Sequence, residues 1–363
     1  MSEPESPNGA PIPDQRPQRS LTPPPLPPEL ADAVTGLVAE AGVHENRDLV
    51  ERMLEASLGL GLDGTGRLDL KIASAALAEM RNAYRLFAPY AHVPKVTIFG
   101  SARTRPADAH YRQASAVSAA LAKLGWMTVT GAGPGIMQAA VEGAGPGHSL
   151  GVSIRLPFEE KPVTSLDDES NVVAMKYFFT RKLMLVKESS AFVCMPGGFG
   201  TLDEMFELLT LQQTGKSEPR PIVLLDDSGG TFWKGLGRFV DEQLVPARVI
   251  SPDDFGRVLV TDSVDAAVAE ITLFWRNYDS LRWVGDVLVL RLKHEPTDDE
   301  VESLNERFGE YAPGGIRRTD PLRAERQDDD RLEFPRLSLR LDQHHVGDLY
   351  LLIRAINTLP SAG

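Results

Sequence analysis

Short apolar runs alternate with helix-spaced apolar positions through the middle of the chain, and this alternation is its main structural signal. The runs are Val96–Phe99, Met127–Thr130, Leu150–Ile154, Ala191–Met195 and Ile222–Leu225. Each is rich in β-branched or aromatic residues and lacks strict polar–apolar alternation, as parallel strands covered on both faces do. Between the first two, Ala114, Val117, Leu121 and Leu124 mark one face of a helix. Five strands separated by helices predict an α/β fold over residues 93–280, a Rossmann-like doubly wound parallel sheet with right-handed crossovers. Ligands of such sheets bind beyond the carboxyl ends of the strands, at the topological switch point.

The flanks carry other patterns. From Glu29 to residue 92 the apolar positions recur at helical spacing, first Leu30, Val34, Leu37 and Val38, then Leu68, Ile72, Ala76 and Met80. This predicts a helical N-terminal extension whose helices are separated by Gly59, Gly61, Gly64 and Gly66. Residues 281–363 predict a small α+β appendage: a strand at Val287–Leu292, a helix at Asp298–Tyr311, the run Leu332–Leu341 and a helix at Gly347–Leu359. The charged stretch Arg317–Arg331 divides it. Ten of the 27 prolines fall in residues 1–28, too few of which are apolar to offset the entropy of ordering, so this segment is expected to be a disordered tail.

Charge and composition narrow the function. Lys and Arg total 38 against 51 Asp and Glu, a net charge of −13, which repels nucleic acid and anionic membranes at long range but leaves room for a small anion in a local basic pocket. The single cysteine, Cys194, excludes a disulfide framework and a multi-cysteine metal site, and a reducing cytoplasm is the expected compartment. No apolar stretch approaches the ~18 residues of a membrane span. The seven histidines are dispersed apart from His344-His345, which reads as a surface feature, so no metal is expected. Asp167-Asp168-Glu169 reads as a solvated acidic loop.

Three glycine-rich loops follow strand-like runs. Gly100-Ser101-Ala102-Arg103 follows the first, and Gly131-Ala132-Gly133-Pro134-Gly135 follows the second and opens a helix at Ile136. Such loops let main-chain N–H groups approach a phosphate, but they also serve as tight strand-to-helix turns, and the residues do not choose. The second loop lacks the final spacing of the dinucleotide fingerprint, which disfavours a nicotinamide cofactor. The third loop, Pro196-Gly197-Gly198-Phe199-Gly200-Thr201-Leu202-Asp203-Glu204, offers a nest of donors suited to one phosphate. It lacks the Gly-Lys-Ser/Thr ending of a Walker loop. Two readings of Glu204 stay open: a catalytic carboxylate, or the closing residue of a capping box with Thr201. Upstream, Arg181 and Lys182 lie on a helical stretch leading into the same strand, either as a solvated basic face or with one end reaching the pocket.

Taken together, the third loop, the Arg181-Lys182 pair and Gly131-Ala132-Gly133-Pro134-Gly135-Ile136-Met137 resemble the Lonely Guy family, long described as lysine decarboxylases, in its longer bacterial form. The resemblance covers residues 94–279. It implies a Rossmann-like hydrolase that splits a nucleoside 5′-monophosphate, of the AMP or cytokinin riboside type, into free base and ribose 5-phosphate. It further implies Arg181 and Glu204 as catalytic residues. Gly197, Gly198, Gly200 and Thr201 match the family's phosphate-binding turn, and Gly100, Ser101, Gly133 and Lys182 line the nucleotide. No cofactor is expected, and a homo-oligomer of at least two subunits is. Where plant members carry Met-His before the arginine, this chain has Phe178 and Phe179, which leaves the base open. The competing reading is a non-catalytic carrier of nucleotide or molybdenum cofactor, for which Glu204 has less use. A pyridoxal-dependent decarboxylase is disfavoured because nothing marks a Schiff-base lysine.

Overall fold

The computed structural model describes residues 25–155, 169–251, 254–341 and 346–363, with the side chains of 169 and 346–348 left aside. Most of the proline-rich tail, Asp167-Asp168 and His344-His345 lie outside the described residues. The chain divides into two units, Met1–Ala75 and Ala76–Gly363.

The first unit holds α1 (Pro28–Glu40), α2 (Arg47–Leu62) and the start of α3 (Arg67–Phe87). Pro28 opens α1, where its missing N–H costs nothing. Val34 and Val38 are its buried positions, and Arg47 ties α2 to α1 by donating to the Thr35 carbonyl at 2.9 Å. Gly59 and Gly61 do not separate helices as expected: both lie inside α2, and only Gly64 and Gly66 stand in the turn. An exposed glycine weakens a helix by about 1 kcal/mol, too little to end one.

The second unit is built on a parallel sheet of β1 (Lys95–Phe99), β2 (Met127–Thr130), β3 (Ser149–Ile154), β4 (Val172–Met175), β5 (Ala191–Cys194), β6 (Ile222–Leu225) and β7 (Val258–Thr261). The strand order is β4-β3-β2-β1-β5-β6-β7. The five expected strands form its centre, and β4 and β7, which the apolar runs did not mark, are its two edges. Each edge strand is as short as β2, β5 and β6, but it is only partly covered, so no continuous buried run marks it.

Successive strand residues point to opposite faces, and each face has its own core. Phe192, Cys194, Val129 and Leu224 pack with the second half of α3, α6 (Phe178–Lys187) and α7 (Phe199–Gln213). Val96, Ile98, Val193 and Val223 pack with α4 (Ala109–Lys123), α5 (Ile136–Ala144) and α9 (Val264–Phe274). Between β6 and β7 the chain forms α8 (Phe232–Phe239), anchored by the fully buried Trp233.

Beyond the parallel sheet lies a four-stranded antiparallel sheet of β8 (Tyr278–Val284), β9 (Val287–Leu292), β10 (Arg317–Arg318) and β11 (Arg336–Leu339), in the order β10-β11-β9-β8. It carries α10 (Asp298–Phe308), α11 (Arg323–Gln327) and α12 (Val346–Asn357). Its first strand starts at Tyr278, and its apolar core takes in Phe274 of α9, stacked on Tyr350 at 5.2 Å. Asn357 closes this joint: its buried Oδ1 accepts the main-chain N–H groups of Asn277 and Tyr278, both at 2.8 Å. Asn357→Ala would strand both donors, and a loss of about 2–4 kcal/mol is expected, measurable by denaturant unfolding.

Candidate active site

The chain leaves β1 toward β2, β3 and β4 on one side and resumes at β5 on the other, so the strand order reverses between β1 and β5. The loops after β1, β2 and β5 therefore emerge side by side, and Ser101 ties them together. Its N–H donates to the Pro196 carbonyl at 3.3 Å, and its own carbonyl accepts the Ile136 N–H at 3.1 Å. Gly135 turns at φ +71°, and a Cβ there would stand 2.4 Å from the Ser101 oxygen, so only glycine lets α5 begin against the first loop. Gly100 follows β1 directly, Gly133 lies against Met137, and Gly197 lies against Thr201. Gly198 and Gly200 face open space at the start of α7, whose first N–H groups have no partner within the helix.

Arg181 reaches this junction from the first turn of α6. Its Nε donates to the Val152 carbonyl of β3 at 3.0 Å, and its guanidinium lies so close to Gly131 that a Cβ there would be 2.0 Å from Nη2. Burial lowers its pKa, and the nearby Glu204 carboxylate opposes that shift. The neighbouring Lys182 turns to α7 instead, with its Nζ 2.6 Å from Glu207, 2.9 Å from Asp203 and 4.0 Å from Glu204. Hydrogen bonds to Glu207 and Asp203 outweigh burial and raise its pKa. The pair therefore does not form a solvated basic face.

Glu204 is not part of a capping box. α7 starts at Phe199 with Gly198 as its N-cap, so Thr201 is already the third helical residue and makes no cap bond. Glu204 lies deeper in the helix, 6 % exposed, and its Oε2 is buried without a hydrogen-bond partner. Burial raises its pKa from 4.5 to about 7, against the pull of Lys182 and Arg181 and with some help from the Glu207 and Asp203 charges. A carboxyl poised there exchanges its proton near neutrality, as general acids and bases must.

Sequence reasoning missed the supporting groups: the Val152 carbonyl and Gly131 that seat Arg181, and the Asp203–Glu207 pair that holds Lys182. The four-residue spacing of that acidic pair on one helix was the available signal. The structure also gathers His110, Asp226 and Asp227, with His110 Nε2 3.0 Å from Asp226. The Asp226 carboxylate also accepts the N–H groups of Asp227, Phe232 and Trp233, which locks the turn into α8. Burial would raise its pKa, but the bonds from His110 and these amides outweigh that and hold it below the usual value.

Against known proteins, residues 135–271 match the family model described as possible lysine decarboxylase. A Mycobacterium marinum protein named cytokinin riboside 5′-monophosphate phosphoribohydrolase is 31 % identical over 158 residues, which span 43 % of this chain and 81 % of that protein. The chain belongs to the Lonely Guy family. A Mycobacterium tuberculosis protein of the same name is also 31 % identical, over 159 residues with the same coverage. Among solved structures, a molybdenum cofactor binding protein from Rippkaea orientalis aligns at 20 % identity with a TM-score of 0.38, covering 50 % of this chain and 96 % of that one. The matched Lonely Guy stretch contains Arg181, Lys182, the α7 turn and Glu204, whereas Gly100, Ser101 and Gly133 precede it. Among the described residues no helix is long and apolar enough to cross a membrane.

The raised Glu204 pKa has a consequence for stability. A group that titrates near 4.5 when unfolded and near 7 when folded stabilises the protein fully only below the lower value, and this is lost as pH rises to the upper one. Glu204→Gln, neutral throughout, is expected to melt above the wild type, with a gain that grows between about pH 5 and about pH 8 in calorimetry.

Proposed function

We propose that this protein hydrolyses the N-glycosidic bond of a nucleoside 5′-monophosphate, AMP or a cytokinin riboside monophosphate, to free base and ribose 5-phosphate. The observation that carries the reading is the buried carboxylate of Glu204, whose Oε2 has no hydrogen-bond partner, beside Arg181 at a glycine-lined helix start. The names of the mycobacterial relatives support it. The N–H groups at the start of α7, with Gly197, Gly198, Gly200 and Thr201, take the phosphate, which the helix dipole favours. Gly100, Ser101 and Gly133 line the nucleotide alongside. Cleavage develops positive charge on the ribose, and the ionised Glu204 stabilises it and orients the attacking water. Arg181 supplies positive charge where the phosphate is held or where the departing base gains electrons. Lys182, held by Asp203 and Glu207, keeps a cation near Glu204 and so favours its ionised form.

Incubation with AMP, GMP, CMP, UMP and isopentenyladenosine monophosphate, followed by chromatography of the free base, tests this reading. Wild type should release base with a rate that climbs through about pH 7 as Glu204 ionises. Glu204→Gln should bind nucleotide without releasing base, and Arg181→Ala should lose at least about 100-fold in turnover. Bound nucleotide with no release by the wild type would replace the hydrolase by a carrier.

The proposed enzyme works as a homo-oligomer. Phe199, at the site loop itself, is 93 % exposed, and Phe178, Phe179 and Leu183 are also exposed on α6. An apolar surface so near a site is the kind that a second subunit covers. Light scattering of the full chain should give at least a dimer, and Phe199→Asp should shift it toward the monomer.

A further inference from the structure

We propose that Glu79, on α3 and outside the stretch that matches the family model, is a positioning residue for Arg181. The inference rests on the role given to Arg181 above, and its geometry is independent of that role. Tyr177, the N-cap residue of α6, makes no side-chain cap bond, and its carbonyl stands 2.9 Å from the Thr180 hydroxyl, a contact within the helix start that competes for the one hydroxyl proton. The fixing from outside the helix comes from Glu79, the nearer partner of that hydroxyl. One carboxylate oxygen accepts the Lys176 N–H at 2.8 Å, just before the helix, and the other accepts the Thr180 hydroxyl at 2.6 Å, in the residue before Arg181. A single carboxylate thus spans the first turn of α6, with its negative charge at the end of the helix dipole that favours it.

The grip extends along both helices. Ala83 and Phe87 follow Glu79 at four-residue steps on α3 and are buried in the same core as Met184 and Leu185 of α6. Toward the far end of α6, Lys187 stands over the Tyr84 ring at 5.4 Å. The apolar contacts set the distance between the helices but tolerate small rotations, because dispersion is not directional. Two short hydrogen bonds to one carboxylate do not. Arg181 has little room to rotate, since its guanidinium lies against Gly131 and its Nε must meet the Val152 carbonyl. A rotation of α6 that leaves the core intact still moves the guanidinium off that seat, and a misplacement of about 1 Å can cost about 100-fold in rate.

The test is a double-mutant cycle on the full-length protein with Glu79→Ala, Thr180→Val and the pair, together with Glu79→Gln. A glutamine can still accept from Lys176 and donate to Thr180, so it keeps the geometry without the charge. Three readouts are taken: melting temperature, kcat and KM for base release, and the titration of Glu204 by carbon NMR of labelled glutamate. Both single variants should lose at least about tenfold in kcat per folded molecule, the pair should lose no more than either, and Glu79→Gln should recover most of the rate. Because Arg181 lowers the Glu204 pKa, its displacement should also move the Glu204 midpoint upward in the Ala and Val variants. Lower melting temperatures with unchanged kcat and an unchanged Glu204 midpoint would overturn the proposal and leave Glu79 as a brace. If the wild type releases no base, the hydrolase reading fails by itself, and the Glu204 midpoint alone decides: a shift supports the positioning role and its absence rejects it.

Discussion

Ionic side chains can be held at the carboxyl ends of this sheet only because the main chain around them leaves space that side chains would fill. The guanidinium of Arg181 occupies the volume that a methyl group on Gly131 would need, and Ser101 draws three loops together only because Gly135 can turn against it. The position of Glu204 follows from the same packing. Met205 and Leu208, fully buried on α7, pin the helix to the sheet at about 2 kcal/mol each, and that anchoring carries the neighbouring carboxyl below the surface. Lys182 then bridges α6 to α7, the two helices that bear the charged groups.

The protein contains a second buried glutamate that shows what is unusual about the first. Glu325 of α11 is fully buried, and its carboxylate accepts from Arg291 at 2.8 Å, from Arg336 at 3.3 Å and from the Leu322 N–H at 3.0 Å. Burial alone would raise its pKa, but these donors outweigh it and hold the group below the usual value. Glu204 has two cations in its neighbourhood, yet its Oε2 has no donor in bonding contact, and burial prevails. The difference lies in satisfaction rather than in depth. A saturated carboxylate ties a fold together, whereas an unsatisfied one keeps its capacity to accept a further hydrogen bond.

The central strands were legible because each is buried on both faces and so rich in β-branched and apolar residues, as Val193 and Ile222 show, with only small hydroxyl residues such as Thr97 and Thr128 interspersed after the first position of β1. The edges β4 and β7 are apolar too, Val-Val-Ala-Met and Val-Leu-Val-Thr, but each is only partly covered in the fold, and nothing in so short a run tells an edge strand from any other apolar segment. The glycine-rich loops could be placed directly after their strands, and the Arg181-Lys182 pair on the helix before β5. Whether Glu204 closes a cap could not be read from local spacing: Thr-x-x-Glu fits a capping box, and only the start of α7 at Phe199 rules the cap out. The carbonyl of Val152 and the carboxylate of Glu79 lie 29 and 101 residues from their partners, Arg181 and Thr180, distances that local pattern does not span.

Cys194 closes β5 at the floor of this arrangement, fully buried in the core that α6 and α7 cover. Burial, reinforced by the charge of Glu204, pushes its thiol far above the usual range, so it stays protonated and chemically quiet. Oxidants that attack exposed thiolates find nothing to modify in the intact protein. The same atom becomes reactive only when the sheet parts from its helices. The chain therefore carries its own stopwatch: the pace at which a disulfide reagent consumes the lone sulfur reports how often the parallel sheet opens.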